Sequence, residues 1–265
     1  YSVCDNPDAG MQKALEDAGV QLGEPFKPKV QAIEQGAHAA RSLDPTTWKR
    51  VGEAQGSNRG GLYEAPDGTR HYVKFYDDPE QGRVEVATNE INRMMGLDAP
   101  ESRMVEMGDG TGVALKWRDD LQDLAAQDLK SADMREEVAK AYQAAVLTKN
   151  WDVVGAEYDN LKKTPDGKLF AMDAGGSMDY RAQGKPKPFE AGPVDELETL
   201  LDPAKKSQAA EVFGAHGAEA LKKRFSSRLR SFKKKDLEDA FSQAGMDQDR
   251  AKDLADTTWQ RRNWL

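Results

Sequence analysis

Arg70-His71-Tyr72-Val73-Lys74-Phe75-Tyr76 is the stretch from which the rest of the chain can be organised. It is aromatic and β-branched, and it alternates. The two-residue period of a strand puts Tyr72, Lys74 and Tyr76 on one face and Val73 and Phe75 on the other. A lysine therefore stands alone in the middle of an apolar strand. Upstream, residues 51–63 spell strand, Gly-rich turn and strand, with the turn at Gly56-Ser57-Asn58-Arg59-Gly60-Gly61. Asp67-Gly68 then closes a hairpin onto the lysine strand. Downstream, a helix is expected from Gln81 to Met95, stopped by Gly96. Two short strands follow at residues 102–107 and 112–116, joined by Gly108-Asp109-Gly110.

Beyond these strands the pattern becomes helical. From Leu121 to Asn150, Val138, Tyr142, Ala145 and Val146 recur at the spacing of a buried helix face. Trp151-Asp152-Val153-Val154 leads through a loop to Asn160-Leu161. A turn at Pro165-Asp166-Gly167 precedes the strand Leu169-Phe170-Ala171-Met172, which ends in Asp173-Ala174-Gly175-Gly176. Residues 194–265 are helical again. Strands with one helix, followed mostly by helices, give an α+β, two-lobed fold with a small β-rich lobe and a larger helical lobe. Residues 1–47 form a third part, a polar N-terminal helical arm. The lobes are expected at residues 48–117 and 118–265.

Composition excludes several classes. The chain of 265 residues has 38 basic against 46 acidic side chains and a net charge of −8. General nucleic-acid binding is not expected of so acidic a chain. No apolar run approaches the ~18–20 residues of a transmembrane segment, and no basic-then-apolar signal segment is visible. A single cysteine, Cys4, excludes a disulfide scaffold, and it is read as incidental. His38, His71 and His216 are too scattered for a zinc motif.

Taken singly, the chemistry-bearing features are ordinary: a glycine turn, a strand lysine, a helix glutamate, an aspartate before glycines. Their order is not. A metal-bound nucleoside triphosphate needs backbone donors over its phosphates and a cation on the inner ones. It also needs carboxylate or amide oxygens for the metal, and a group to orient the nucleophile. The chain offers a glycine turn with Gly56, Ser57, Asn58 and Gly60, then Lys74, then Glu85 or Glu90. Asp152, Asn160 and Asp173 follow in that sequence.

In this order and context the chain resembles the bacterial protein-kinase-like superfamily, nearest to its HipA and phosphatidylinositol-kinase-like branch and to kinase-like effectors and toxins. The resemblance runs from about Trp48 to Phe213. It implies ATP and Mg²⁺ as cofactors. Lys74 would be the ATP-binding strand lysine, with Glu85 as its helix partner and Glu90 as the second choice. Residues 113–117, including Lys116, would form the strand and hinge against adenine. Asp152 would be the catalytic aspartate, and Asn160 and Asp173 the metal ligands. Residues 179–184 would lie in the activation segment. The implied activity is γ-phosphate transfer to a hydroxyl, with protein serine or threonine expected. AMP transfer on the same fold, or an inactive binding module, are the alternatives. A soluble protein is implied, in the bacterial cytoplasm or delivered into a target cell.

The chain departs from the family at several points. Trp151 precedes Asp152 where the family has His-Arg-Asp. Asn160 is eight positions after Asp152 instead of five, which leaves Asp159 as an alternative ligand. The glycine turn is neither G-x-G-x-x-G nor a Walker A motif, Asp-Ala-Gly replaces Asp-Phe-Gly, and no Ala-Pro-Glu follows Asp173, the one at Ala99-Pro100-Glu101 lying before it.

A separate feature is the segment 222–235, with eight basic and no acidic residues. Leu221, Phe225, Leu229 and Phe232 fall at helical spacing beside it. A basic amphipathic helix over 221–235 could meet an acidic or activating partner, or the stripe could pack on the helical lobe with its lysines solvated.

Overall fold

The computed structural model describes residues 44–56 and 58–265. Cys4, His38, Ser57 and the expected arm up to residue 43 lie outside the described residues. The first lobe is a five-stranded antiparallel sheet in the order β1-β2-β3-β5-β4. Its strands are β1 (Lys49–Gly52), β2 (Arg59–Glu64), β3 (Arg70–Phe75), β4 (Ser102–Met107) and β5 (Gly110–Lys116). The alternation of β3 divides its side chains as expected. Val73 and Phe75 join Trp48, Tyr63, Ala65, Val105 and Ala114 in a small core on one face. Tyr72 and Tyr76 turn to the main core on the other.

Helix α1 (Pro79–Met94) crosses that second face. It starts where Asp78 accepts from the Glu80 N–H at 3.0 Å and Pro79 takes the first turn. Gly96, at φ 78°, follows its end. Val84, Ala87 and Ile91 are fully buried beneath the sheet, and so is Glu85, a charged residue among them.

The helical lobe is built round α3 (Arg135–Thr148), which follows the short α2 (Ala126–Leu129). Val138, Tyr142, Ala145 and Val146 are buried, but so are Ala139, Ala141, Ala144 and Leu147. The helix is central, packed on more than the one face its periodicity advertised. A two-stranded ribbon, β6 (Leu161–Lys163) and β7 (Leu169–Ala171), follows, turning at Pro165–Gly167. Then come α4 (Glu196–Thr199), α5 (Ser207–Gly214), α6 (Ala218–Lys222), α7 (Phe225–Leu229), α8 (Lys234–Gln243) and α9 (Gln248–Trp264). No helix among the described residues is long and apolar enough to cross a membrane.

The basic stretch corrects the sequence reading. It is not one helix over 221–235. It breaks into the end of α6, the whole of α7 and the start of α8, with Arg224 left-handed at φ 63° between the first two. The stripe is buried nonetheless: Leu221, Phe225, Leu229 and Phe232 are all core residues. Packing, not helix continuity, selects these positions. Four of the eight cations have acidic neighbours: Arg224 and Arg228 with Glu136, Lys234 with Asp256, and Lys235 with Asp239.

One buried arginine couples this frame to the loop after α3. Arg261 of α9, 1% exposed, donates to the carbonyls of Leu147 at 2.9 Å and Val146 at 2.8 Å. Carbonyls at a helix C-terminus lack intrahelical partners, and a cation there completes them. Glu196 balances the guanidinium at 2.6 Å, and its other oxygen accepts from the Trp151 indole N–H at 3.2 Å. The loop carrying Trp151 and Asp152 is thus tied to the lobe's interior.

Candidate functional site

The strand lysine meets two carboxylates. Lys74 Nζ donates to Glu85 Oε1 at 2.8 Å and lies 3.2 Å from Asp173 Oδ2. The second oxygen of Glu85 accepts from the Tyr76 hydroxyl at 2.8 Å, and Asp173 Oδ1 accepts from the Gly175 N–H at 2.9 Å. Strand β3, helix α1 and the loop after β7 thereby converge on one ammonium group. Burial alone would push Lys74 down, but Asp173 and Glu85 together outweigh it and hold the ammonium above the ordinary lysine value. Burial likewise works against charge on Asp173, yet Lys74 and the Gly175 N–H hold that carboxyl below its usual range. Burial raises Glu85 against the pull of Lys74, with Asp173 adding to the rise. A buried cation placed among such partners stays charged. Glu90 does not reach it and pairs with Arg93 on the surface of α1.

Lys74 and Asp173 line a cleft of about 210 Å³ between the lobes. Gly56, Lys116, Asp159 and Asn160 line it too, with an apolar wall of Leu115, Trp117, Phe170 and Met172. Lys116 is exposed and paired with Glu101 at 3.0 Å. Asn58 and Gly60 do not line the cleft. Gly60 serves the sheet instead: it sits opposite Lys74 at φ 149°, and a Cβ there would collide with the Val73 carbonyl. Tyr72 holds the start of the glycine turn, donating its hydroxyl to the Gln55 carbonyl at 2.6 Å.

Asp152 lies outside that cleft but beside it. Asn160 Nδ2 donates to the Asp152 carbonyl at 2.7 Å and approaches its Oδ2 at 3.4 Å. The longer gap between these residues closes because Gly155 turns at φ 82°, where a Cβ would collide with the Asp159 carboxylate. The Asp152 N–H donates to Asn150 Oδ1 at 3.0 Å. Burial raises the Asp152 carboxyl and the charge of Asp173 adds to it, against the Asn160 hydrogen bond. A carboxylate made more basic in this way is suited to accept a proton.

The sequence reading did not single out Tyr76, Gln81 or the basic residues around Trp151. Gln81 Nε2 donates to the Gly175 carbonyl at 2.9 Å, fastening α1 to the loop that carries Asp173. No spacing signal marks these residues, because their partners are remote in sequence.

No family model matches the chain, and no curated protein sequence matches it. Solved structures do. The Helicobacter pylori proinflammatory kinase CtkA is similar at 13% identity and TM-score 0.40, over 84% of this chain and 98% of that one. The HipA toxin of Shewanella oneidensis, in complex with HipB and operator DNA, is similar at 13% identity and TM-score 0.43, over 97% and 82%. The choline kinase LicA of Streptococcus pneumoniae is similar at 11% identity and TM-score 0.36, over 86% and 98%. At these scores the likeness is distant, and the chemistry has to be read from the residues themselves.

Proposed function

We propose that the chain is an ATP- and Mg²⁺-dependent phosphotransferase of the protein-kinase-like class, acting on a hydroxyl, with protein serine or threonine as the acceptor class. The observation that supports this most directly is the convergence of Glu85 and Asp173 on Lys74, with Asp152 next to Asn160 at the edge of the same cleft.

Lys74, kept charged and aimed by Glu85, binds the inner phosphates of ATP. Leu115, Trp117, Phe170 and Met172 supply an apolar wall for the base. A hard divalent cation takes oxygen donors, and the cleft has them: the Asp173 carboxylate, the Asn160 carboxamide oxygen and Asp159. These residues would hold Mg²⁺, which supplies charge neutralisation on the phosphates when bound. The acceptor oxygen attacks the γ-phosphorus as the bond from that phosphorus to the bridging oxygen breaks, and its electron pair leaves with ADP. The hydroxyl proton passes to Asp152 and then to solvent. Positioning and charge neutralisation carry most of such a reaction.

The test is incubation with Mg²⁺ and ATP labelled at the α- or the γ-position, followed by mass-spectrometric mapping of modified hydroxyls. Label from the γ-position alone, abolished by Asp173→Ala, is the expected result. Label from the α-position would replace this reading with AMP transfer. Absence of both labels would replace it with a binding module.

A further inference from the structure

A second cleft, of about 200 Å³, is lined by Asp152 and has no lining residue in common with the Lys74 cleft. Its walls carry Arg181, Lys185, Lys187 and Lys206 around Trp151. Four cations approach the one indole ring: Lys206 at 4.7 Å, Lys187 at 5.0 Å, Arg181 at 5.1 Å and Lys149 at 5.6 Å from its centroid. Lys149 has a partner in Glu196, at 3.6 Å. Among the described residues, Arg181, Lys185, Lys187 and Lys206 form no ion pair. Glu196 is already engaged by Arg261, Trp151 and Lys149.

Surface lysines usually sit in water and signify nothing. Lys187 does not fit that description. It is 4% exposed, and its Nζ donates to the Gly176 carbonyl at 2.6 Å. Burial lowers its pKa to about 7, and Lys149, Lys206 and Arg181 add to the fall against Glu196. The loop that presents it is held in place. Arg181 N–H donates to the Lys185 carbonyl at 2.8 Å, Lys187 N–H to the Asp179 carbonyl at 2.8 Å, and Tyr180 O–H to Asp78 Oδ2 at 2.5 Å. Arg250 clamps Asp179 at 2.8 Å. A fixed loop therefore crowds like charges that would otherwise move apart, beside the carboxylate assigned to the acceptor hydroxyl.

Such a cleft is complementary to an oxyanion with more than one charge and several acceptor oxygens. A guanidinium fork with ammonium groups around it matches a phosphate monoester better than a carboxylate. The phosphates of ATP are provided for elsewhere, since the Lys74 cleft has no cation in common with this one. Building on the phosphotransfer reading, we propose that the acceptor itself already carries a phosphate monoester, which Arg181, Lys185, Lys187 and Lys206 hold while the acceptor hydroxyl lies at Asp152.

Calorimetry on the whole chain tests this without turnover. The probes are a short phosphoserine peptide, the same peptide unphosphorylated, myo-inositol 1-phosphate, inositol and inorganic phosphate. At least one ester should bind tenfold or more tightly than its unphosphorylated counterpart. The double variant Arg181→Gln/Lys206→Gln should lose that preference, while Lys222→Gln, an exposed cation that lines neither cleft, keeps it. Preference for the phosphopeptide assigns a protein source; preference for the inositol ester assigns a small-molecule source. The proposal fails if neither ester outdoes its counterpart, if inorganic phosphate alone binds, or if the double variant binds as well as the wild type with an unchanged thermal midpoint. Ester binding without γ-label transfer would sink the phosphotransfer reading and spare the anion site. Transfer to plain hydroxyls without ester binding would do the reverse.

Discussion

The two clefts that flank Asn160 and Asp152 handle charge in opposite ways. Around Lys74 one ammonium is shared between two carboxylates, and each carboxylate has a further donor from Tyr76 or Gly175. Around Trp151 four cations surround a ring, and among the described residues Lys149 alone of the four has an ion-pair partner. In the first arrangement Lys74 and Glu85 form a buried pair with the partly exposed Asp173 beside them, so removing Lys74 leaves a buried charge behind. The second is open and unbalanced, so removing a member relieves repulsion. Stability and function therefore move together at the buried Lys74–Glu85 pair and apart in the second cleft.

The largest effect should come from breaking the buried Lys74–Glu85 pair. Lys74→Ala leaves Glu85 buried without its partner, and breaking a buried pair costs roughly 3–5 kcal/mol. Denaturant unfolding should show that loss, and γ-label transfer should fall with it. Asp173→Asn keeps the volume and should cost far less stability while still abolishing most transfer. Equal destabilisation by both would show that the network is not organised on Lys74.

Asp152→Asn should separate the clefts. Loss of a general base typically costs roughly 10²–10⁴ in rate. Nucleotide affinity, read by equilibrium titration, should hardly change, because Asp152 does not line the Lys74 cleft. A large loss of nucleotide affinity would mean the two clefts act as one.

Arg261→Met should damage the frame of the Trp151 cleft from a distance. It leaves Glu196 with only Trp151 and Lys149 among the described residues and frees the Val146 and Leu147 carbonyls, a loss of roughly 3 kcal/mol in unfolding free energy at about 1–3 kcal/mol for each unsatisfied buried group.

The smallest effect concerns Lys187. Its pKa is about 7 in the folded chain against an ordinary 10.5. Below pH 7 the group is charged folded and unfolded, so the burial penalty is full. Above 10.5 it is neutral in both states and the penalty vanishes. Stability contributed at this position therefore rises with pH between about 7 and 10.5. Lys187→Met should exceed the wild type in thermal midpoint most at pH 7, with the gap closing towards pH 10. A gap that is constant with pH would show that Lys187 is not held charged against its surroundings.

Much of this organisation was legible along the chain. The alternation from Tyr72 to Tyr76 placed each side chain on its observed face, because a strand's period of two is a local property. Gly96 marked the end of α1 by capping chemistry that depends only on neighbours, whereas the start was expected at Gln81 and lies at Pro79, after the Asp78 cap. The order of Lys74, Glu85, Asp152, Asn160 and Asp173 could also be read, since Lys74 interrupts an apolar strand and Asp173 ends another. The choice between Glu85 and Glu90 could not be settled by spacing. Both sit on one helix, and only the packing of α1 against β3 buries the first and leaves the second beside Arg93. The stripe of Leu221, Phe225, Leu229 and Phe232 suggested a continuous helix, but burial periodicity does not reveal a left-handed residue such as Arg224.

The sequence by itself determined the α+β order, the strand faces, the end of α1 and the line-up of ionisable residues. These depend on interactions within a few positions, where propensity, capping and period act. Only the tertiary structure decided which charges meet. It brought Asp173 to Lys74, folded Asn160 back onto Asp152 through Gly155, and gathered Arg181, Lys187 and Lys206 over Trp151. Charge pairing depends on distance and desolvation, and neither is set until the lobes have packed.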